Sequence, residues 1–146
     1  MRASVRREVT IGVGAERAWE IVGRPDLLHH WFPGIVDCRV ESDRRTITVG
    51  TGLTLSETIL TNDPLQRRLQ YRIIGGLFTE HLASLDVIPL AADTCLVVYS
   101  HDVDPAVMAI VLGGATAAAL AELRHQLESG HGPALAGALT VPEGSR

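Results

Sequence analysis

One stretch, from Asp104 to Glu128, constrains what the rest of the chain can build. It carries no charge from Ala106 to Ala121, 16 residues. Asp104 is a suitable N-cap and Pro105 suits the first helical position. Val107, Val111, Ala115, Ala118, Ala119, Leu123 and Leu127 recur at three- and four-residue steps, which predicts one long helix with an apolar stripe. A helix of about 24 residues is a rod of roughly 36 Å, long enough to cover a sheet in a small domain. Gly113-Gly114 interrupts it, and each glycine costs up to about 1 kcal/mol relative to alanine. Two readings fit this pair: close approach of the helix backbone to a strand, or a flexible point beside a pocket mouth.

What precedes the helix reads as strands with two short helical interruptions. Ser4 to Ile11 alternates Val5, Val9 and Ile11 with charged neighbours, although Arg7 breaks the series. A short helix is expected over Ala15 to Val22 and a second from Pro25-Asp26 through LLHHWF, stopped by Pro33-Gly34. Six strands follow: Val36 to Glu41, Thr46 to Val49, Leu53 to Thr61, Arg68 to Ile74, Glu80 to Ile88 and Thr94 to Asp102. The turn residues between them are few enough for hairpins. The order predicts an α+β fold, an antiparallel meander whose apolar face is covered by the last helix. Residues 1–128 read as a single domain, and the Gly-, Ala- and Pro-rich 129–146 as a flexible tail.

Composition narrows the function. The chain has 46% hydrophobic and 21% charged residues, the balance of a globular core. A net charge of -4 offers no concentrated basic surface, so a nucleic-acid partner is not expected. The uncharged run falls short of the roughly 20 residues that span a bilayer, so membrane insertion is not expected either. The N-terminus lacks a hydrophobic signal core, which makes a cytoplasmic location the default expectation. Cys38 and Cys95 are isolated and read as reduced and buried, with a bridge left open. No phosphate loop, nucleophile elbow, cofactor motif or zinc motif stands out. The adjacent His29 and His30 lack helical ligand spacing and read as solvated surface. Monomer and homodimer both remain open.

The informative residues are polar ones that intrude on apolar faces. Period-two reading puts Glu57 with Leu53, Leu55 and Ile59, Tyr71 with Leu69 and Ile73, and His81 with Ala83, Leu85 and Val87. If the turns centre on Pro64 and Gly76, Glu57 opposes Tyr71 and Tyr71 opposes His81, forming one row. A two-residue slip would undo the row without moving any residue to the other face. On the last strand Cys95, Val97, Tyr99 and His101 oppose Leu96, Val98 and Ser100, and the alternation leaves the inward set open. Trp19, Trp31 and Phe32 read as core or cavity-wall aromatics. With Trp31 and Val111, these faces give the ligand-binding candidates Leu55, Glu57, Ile59, Leu69, Tyr71, His81, Ala83, Tyr99 and His101. The acid-base candidates are His81, Glu57 and Tyr71.

The segments VTIGVGAERAWEIV, LLHHWFPGIVDCRV, YRIIGG and CLVVYSHDVDP, placed before a long helix, resemble the START-related polyketide cyclase/dehydrase superfamily. The likeness covers roughly residues 4 to 128. Ile73-Ile74-Gly75-Gly76 is similar to a stretch of plant abscisic acid receptors, whose gate-loop motif Val49 to Leu53 does not reproduce. The resemblance implies a helix-grip fold: seven antiparallel strands around the C-terminal helix, with a cavity between. Three functions are then expected in order. The first is a carrier or sensor for a small hydrophobic molecule, aromatic, polyketide-like or lipid-like. The second is a cyclase or dehydratase using His81 or Glu57 as base and Tyr71 as proton donor. The third is a protein-interaction module using the pocket mouth or the tail.

Overall fold

The computed structural model describes residues 1–130. Its elements are β1 (Ala3–Ile11), α1 (Ala15–Val22), a 3-10 turn (Pro25–Leu27) leading into α2 (Leu28–Trp31), β2 (Ile35–Glu41), β3 (Arg44–Val49), β4 (Thr54–Asp63), β5 (Arg68–Ile74), β6 (Glu80–Ala91), β7 (Thr94–Asp104) and α3 (Met108–Ser129). All seven strands form one antiparallel sheet in the order β1-β7-β6-β5-β4-β3-β2. Strands β2 to β7 are therefore a meander, and β1 returns beside β7. Helix α3 packs on β1 and β7, as the helix-grip expectation requires. The tail from residue 131 onward lies outside the described residues, and Ser129 still belongs to α3.

The start of α3 differs from the expectation. Asp104 is the last residue of β7, paired with Glu80, and its carbonyl accepts from Thr79 N at 2.9 Å. With its backbone committed to the sheet, Asp104 does not cap the helix. A tight turn carries the chain from Pro105, with Met108 N donating to Pro105 O at 3.1 Å and Ala109 N to Ala106 O at 3.1 Å. The buried face is rotated as well. Gly113, Thr116, Ala119, Leu120, Leu123, Gln126 and Leu127 are buried, whereas Val107, Val111 and Ala118 face outward. A stretch without charged residues gives periodicity nothing to contrast with, and two of the buried residues are polar.

Gly113 bears out the close-approach reading. A Cβ there would lie 3.0 Å from both Val5 Cγ2 and Arg7 Nη2 of β1. Gly114 points into open space, so the strand contact explains only one of the pair. At the other end, Gly130 takes φ +66° and closes the helix by donating to Gln126 O at 3.1 Å.

Both hairpin registers are slipped by two residues from the sequence-based row. Glu57 pairs with Ile73, Tyr71 with Ile59 and Ala83, and His81 with Val103. Asp63 Oδ1 accepts from the backbone N–H groups of Leu65 and Gln66 at 2.9 and 3.1 Å, which moves the turn past Pro64. A bulge between Ile59 and Thr61 takes back part of that shift. The faces are unchanged, since a two-residue slip preserves them. The alternation left open on β7 is settled: Cys95, Val97, Tyr99, His101 and Val103 are all buried. Both cysteines are buried and free, with burial pushing the Cys38 thiol up to about 11.

Candidate functional site

Between the concave sheet face and α3 lies a cavity of about 500 Å³. Alternation along β3, β4 and β5 delivers Ile47, Val49, Leu55 and Ile73 to it. Leu28, Phe32 and Ile35 come from the segment that Pro33-Gly34 bends, and Leu112 and Ala115 from α3. Polar side chains are few: Glu57, Tyr71 and His101 in the wall, and Thr51 at the exposed β3–β4 loop.

Glu57 is held by a residue absent from the sequence-derived list. Arg45 is its direct cross-strand neighbour on β3, and its Nε donates to Glu57 Oε1 at 2.6 Å. Both side chains are almost wholly buried. Arg45 also donates through Nη1 to Pro25 O at 3.0 Å and lies 4.5 Å from the Tyr71 ring centroid. Its Nη2 is buried without a partner. Burial raises the Glu57 pKa and the Arg45 charge opposes that rise. The signal for Arg45 was present: Arg45, Ile47 and Val49 alternate, but starting the strand at Thr46 left the arginine in a turn.

The Tyr71 hydroxyl meets the Tyr99 hydroxyl, and burial drives both phenol pKa values upward. Tyr99 lies beneath the wall, with ring centroids 6.2 Å from Trp31 and 6.3 Å from Phe32. Tyr99, not Glu57 or His81, is therefore the hydrogen-bond partner of Tyr71, although the Tyr71 and His81 rings still lie 5.8 Å apart.

The histidines form a directional chain. The paired residues of β5 and β6 end at Tyr71 and Ala83, and beyond them the Ile73 N–H donates at 3.0 Å to His81 Nδ1. That nitrogen is an acceptor, so the proton of the neutral ring sits on Nε2. His81 Nε2 then donates to His101 Nδ1 at 3.1 Å, which leaves His101 Nε2–H to face Thr116 Oγ1 at 2.9 Å. Thr116 belongs to α3, so the chain ties helix to sheet. Burial, aided by the Arg72 charge, lowers the His81 pKa to about 4. Burial and then His81 lower that of His101 to about 3. An added proton on either ring would meet a donor instead of an acceptor.

Of the sequence-derived residues, Leu55, Glu57, Tyr71 and His101 line the cavity. Leu69, Ala83, Tyr99 and Trp31 are core, and Ile59 packs against that core. Val111 is 59% exposed on the outer side of α3, where Leu112 and Ala115 take the place expected of it. His81 borders a separate hollow of about 530 Å³, which Arg2, Arg72 and Glu80 also line. His29 and His30 are half-buried rather than fully solvated, their rings tilted by 39° with centroids 4.2 Å apart, and burial lowers the His30 pKa. Among the described residues no group of three or more His, Cys, Asp or Glu is placed to hold a metal ion, and no helix is long and apolar enough to cross a membrane.

Fold and cavity together define a helix-grip protein. The sequence matches the family model described as polyketide cyclase / dehydrase and lipid transport over residues 2–128, and the chain belongs to that family. No curated protein matches it. Among solved structures, an uncharacterised protein of Bacillus thuringiensis superposes with a TM-score of 0.80 at 22% identity, covering 86% of this chain and 98% of that one. The di-domain aromatase/cyclase BexL of the BE-7585A biosynthetic pathway gives 0.75 at 20% identity, covering 86% of this chain and 46% of that one. Norcoclaurine synthase of Thalictrum flavum gives 0.71 at 19% identity, covering 89% and 96%. At these identities the likeness establishes the fold.

Proposed function

We propose that this protein encloses a small, largely apolar molecule between sheet and α3, as a carrier or sensor. The observation that carries this reading is the cavity: about 500 Å³ walled by aliphatic and aromatic side chains, with a few polar groups gathered on β4, β5 and β7. Such a lining suits a ligand with an apolar body and a small polar feature. Native mass spectrometry combined with thermal-shift screening of hydrophobic metabolites tests it. The expected result is a 1:1 complex and a raised Tm for at least one aromatic or lipid-like compound. Uniformly unchanged Tm values and no adduct would remove this reading.

A second reading is a cyclase or dehydratase, the reaction class named in the matching family. The observation in its favour is a buried carboxylate, Glu57, beside Tyr71 in the cavity wall. The candidates are reordered by the geometry. His81 Nδ1 is already occupied by the Ile73 N–H, and both nitrogens of His101 are engaged, so neither ring is free to take a proton. Glu57 would be the base and Tyr71 the donor to a developing enolate oxygen. Incubation with a linear poly-β-carbonyl thioester and product analysis by mass spectrometry separates the readings. Turnover lost in Glu57→Gln supports the enzyme, and bound but unchanged substrate supports the carrier.

A further inference from the structure

The polar groups of the cavity differ in what they still have to offer. Only Oε1 of Glu57 is taken by Arg45, and the carboxylate lines the cavity, so its second oxygen remains an acceptor for an occupant. The Tyr71–Tyr99 pair closes one hydrogen bond between two hydroxyls and so retains one hydroxyl proton. His101 has both nitrogens committed.

Among the described residues, no uncommitted cation lines this space. Arg45 is spent on Glu57 and on Pro25 O, and its remaining nitrogen is walled off. A carboxylate brought into the cavity would meet the Glu57 charge with no counter-charge of its own, in surroundings where desolvated charge is costly. A hydroxyl can donate to Glu57 and accept from the tyrosine pair.

We infer that the occupant is a neutral molecule with an apolar body and one hydroxyl or N–H donor aimed at Glu57, and that carboxylates are excluded. This rests on the cavity being a ligand site. Arg45, which does not line the cavity, is then the positioning residue that keeps Glu57 oriented and charge-balanced.

The test is a matched series at pH 7: naphthalene, 2-methoxynaphthalene, 2-naphthol and 2-naphthoate, each competing with the neutral fluorophore N-phenyl-1-naphthylamine on the intact protein. Expected is 2-naphthol binding about 10-fold or more tighter than naphthalene, as a hydrogen bond to a charged acceptor gives. The methoxy compound, which can accept from the tyrosine pair but cannot donate to Glu57, should bind well below naphthol, and naphthoate should be weakest. In Glu57→Gln the naphthol advantage should shrink and naphthoate should gain, because the Arg45 charge is no longer balanced. Naphthoate binding tightest to wild type, or methoxynaphthalene binding as well as naphthol, overturns the inference while leaving the cavity a binding site. If neither the fluorophore nor any of the four binds, the cavity reading falls and the inference with it. The wild-type comparison alone decides the matter should Glu57→Gln fail to fold.

Discussion

Arg45 and Glu57 face each other across β3 and β4, joined at 2.6 Å and both almost entirely removed from solvent. Breaking such a pair leaves an uncompensated buried charge, whereas replacing both partners with apolar residues is often neutral. Glu57→Leu or Arg45→Met alone should cost roughly 3–5 kcal/mol. The double variant should recover most of that loss. Urea denaturation of all four proteins checks this, and strictly additive losses would contradict the pairing.

The tyrosine pair makes a smaller claim. Tyr71→Phe or Tyr99→Phe leaves the other buried hydroxyl without its partner and should cost about 1–3 kcal/mol. Replacing both with Phe should cost less than the sum of the single losses, as thermal melts of the three variants can show.

The histidine chain predicts an acid-sensitive fold, with the sign set by where protons bind. In the unfolded chain both histidines titrate near 6.5, while in the fold they stay neutral down to about 4 for His81 and about 3 for His101. Between these limits the unfolded state binds more protons, so stability falls as pH falls. Their contribution is fully present above about pH 6.5 and is lost progressively from there toward pH 3–4. His81→Asn removes one of these titrations and should flatten the slope of unfolding free energy between pH 6.5 and 4. An unchanged slope would show that His81 does not stay neutral as its contacts imply.

The adjacent helix glycines should respond differently to alanine. Gly114→Ala meets open space and should stabilise by about 0.5–1 kcal/mol through helix propensity. Gly113→Ala must push against Val5 and Arg7, so it should be the less stable of the two variants. A reversed order in their Tm values would contradict the packing of α3 on β1.

Particular residues show how far the sequence could be read. Strict alternation put Leu55, Glu57 and Tyr71 on the concave face, because a strand has only two faces and each choice is confirmed every second residue. Which residues touch across the strands was not legible. That depends on a turn held by the Asp63 side chain and on a bulge between Ile59 and Thr61, neither of which disturbs the alternation. Glu57 was found and its partner was not, because a strand begun at Thr46 leaves Arg45 outside it, whereas β3 starts at Arg44. On α3 the uncharged run announced a helix but hid its buried face, so Val111 was placed inward although it is exposed. Thr116, the helix end of the histidine chain, is the one hydroxyl-bearing residue in the run from Ala106 to Ala121, but the run did not tell which strand residue it would meet.

If the space between sheet and α3 holds a ligand, a side chain that fills the space should displace it. Ala115 lines the cavity from α3, and Ala115→Phe would occupy part of it while keeping a helical backbone. Binding of N-phenyl-1-naphthylamine would be titrated on wild type and on this variant, with Tm recorded for each. Expected are saturable 1:1 binding to wild type and at least about a tenfold weaker affinity in Ala115→Phe, with Tm unchanged or raised. Equal affinity in the two proteins would place any binding elsewhere and contradict a ligand site in this cavity.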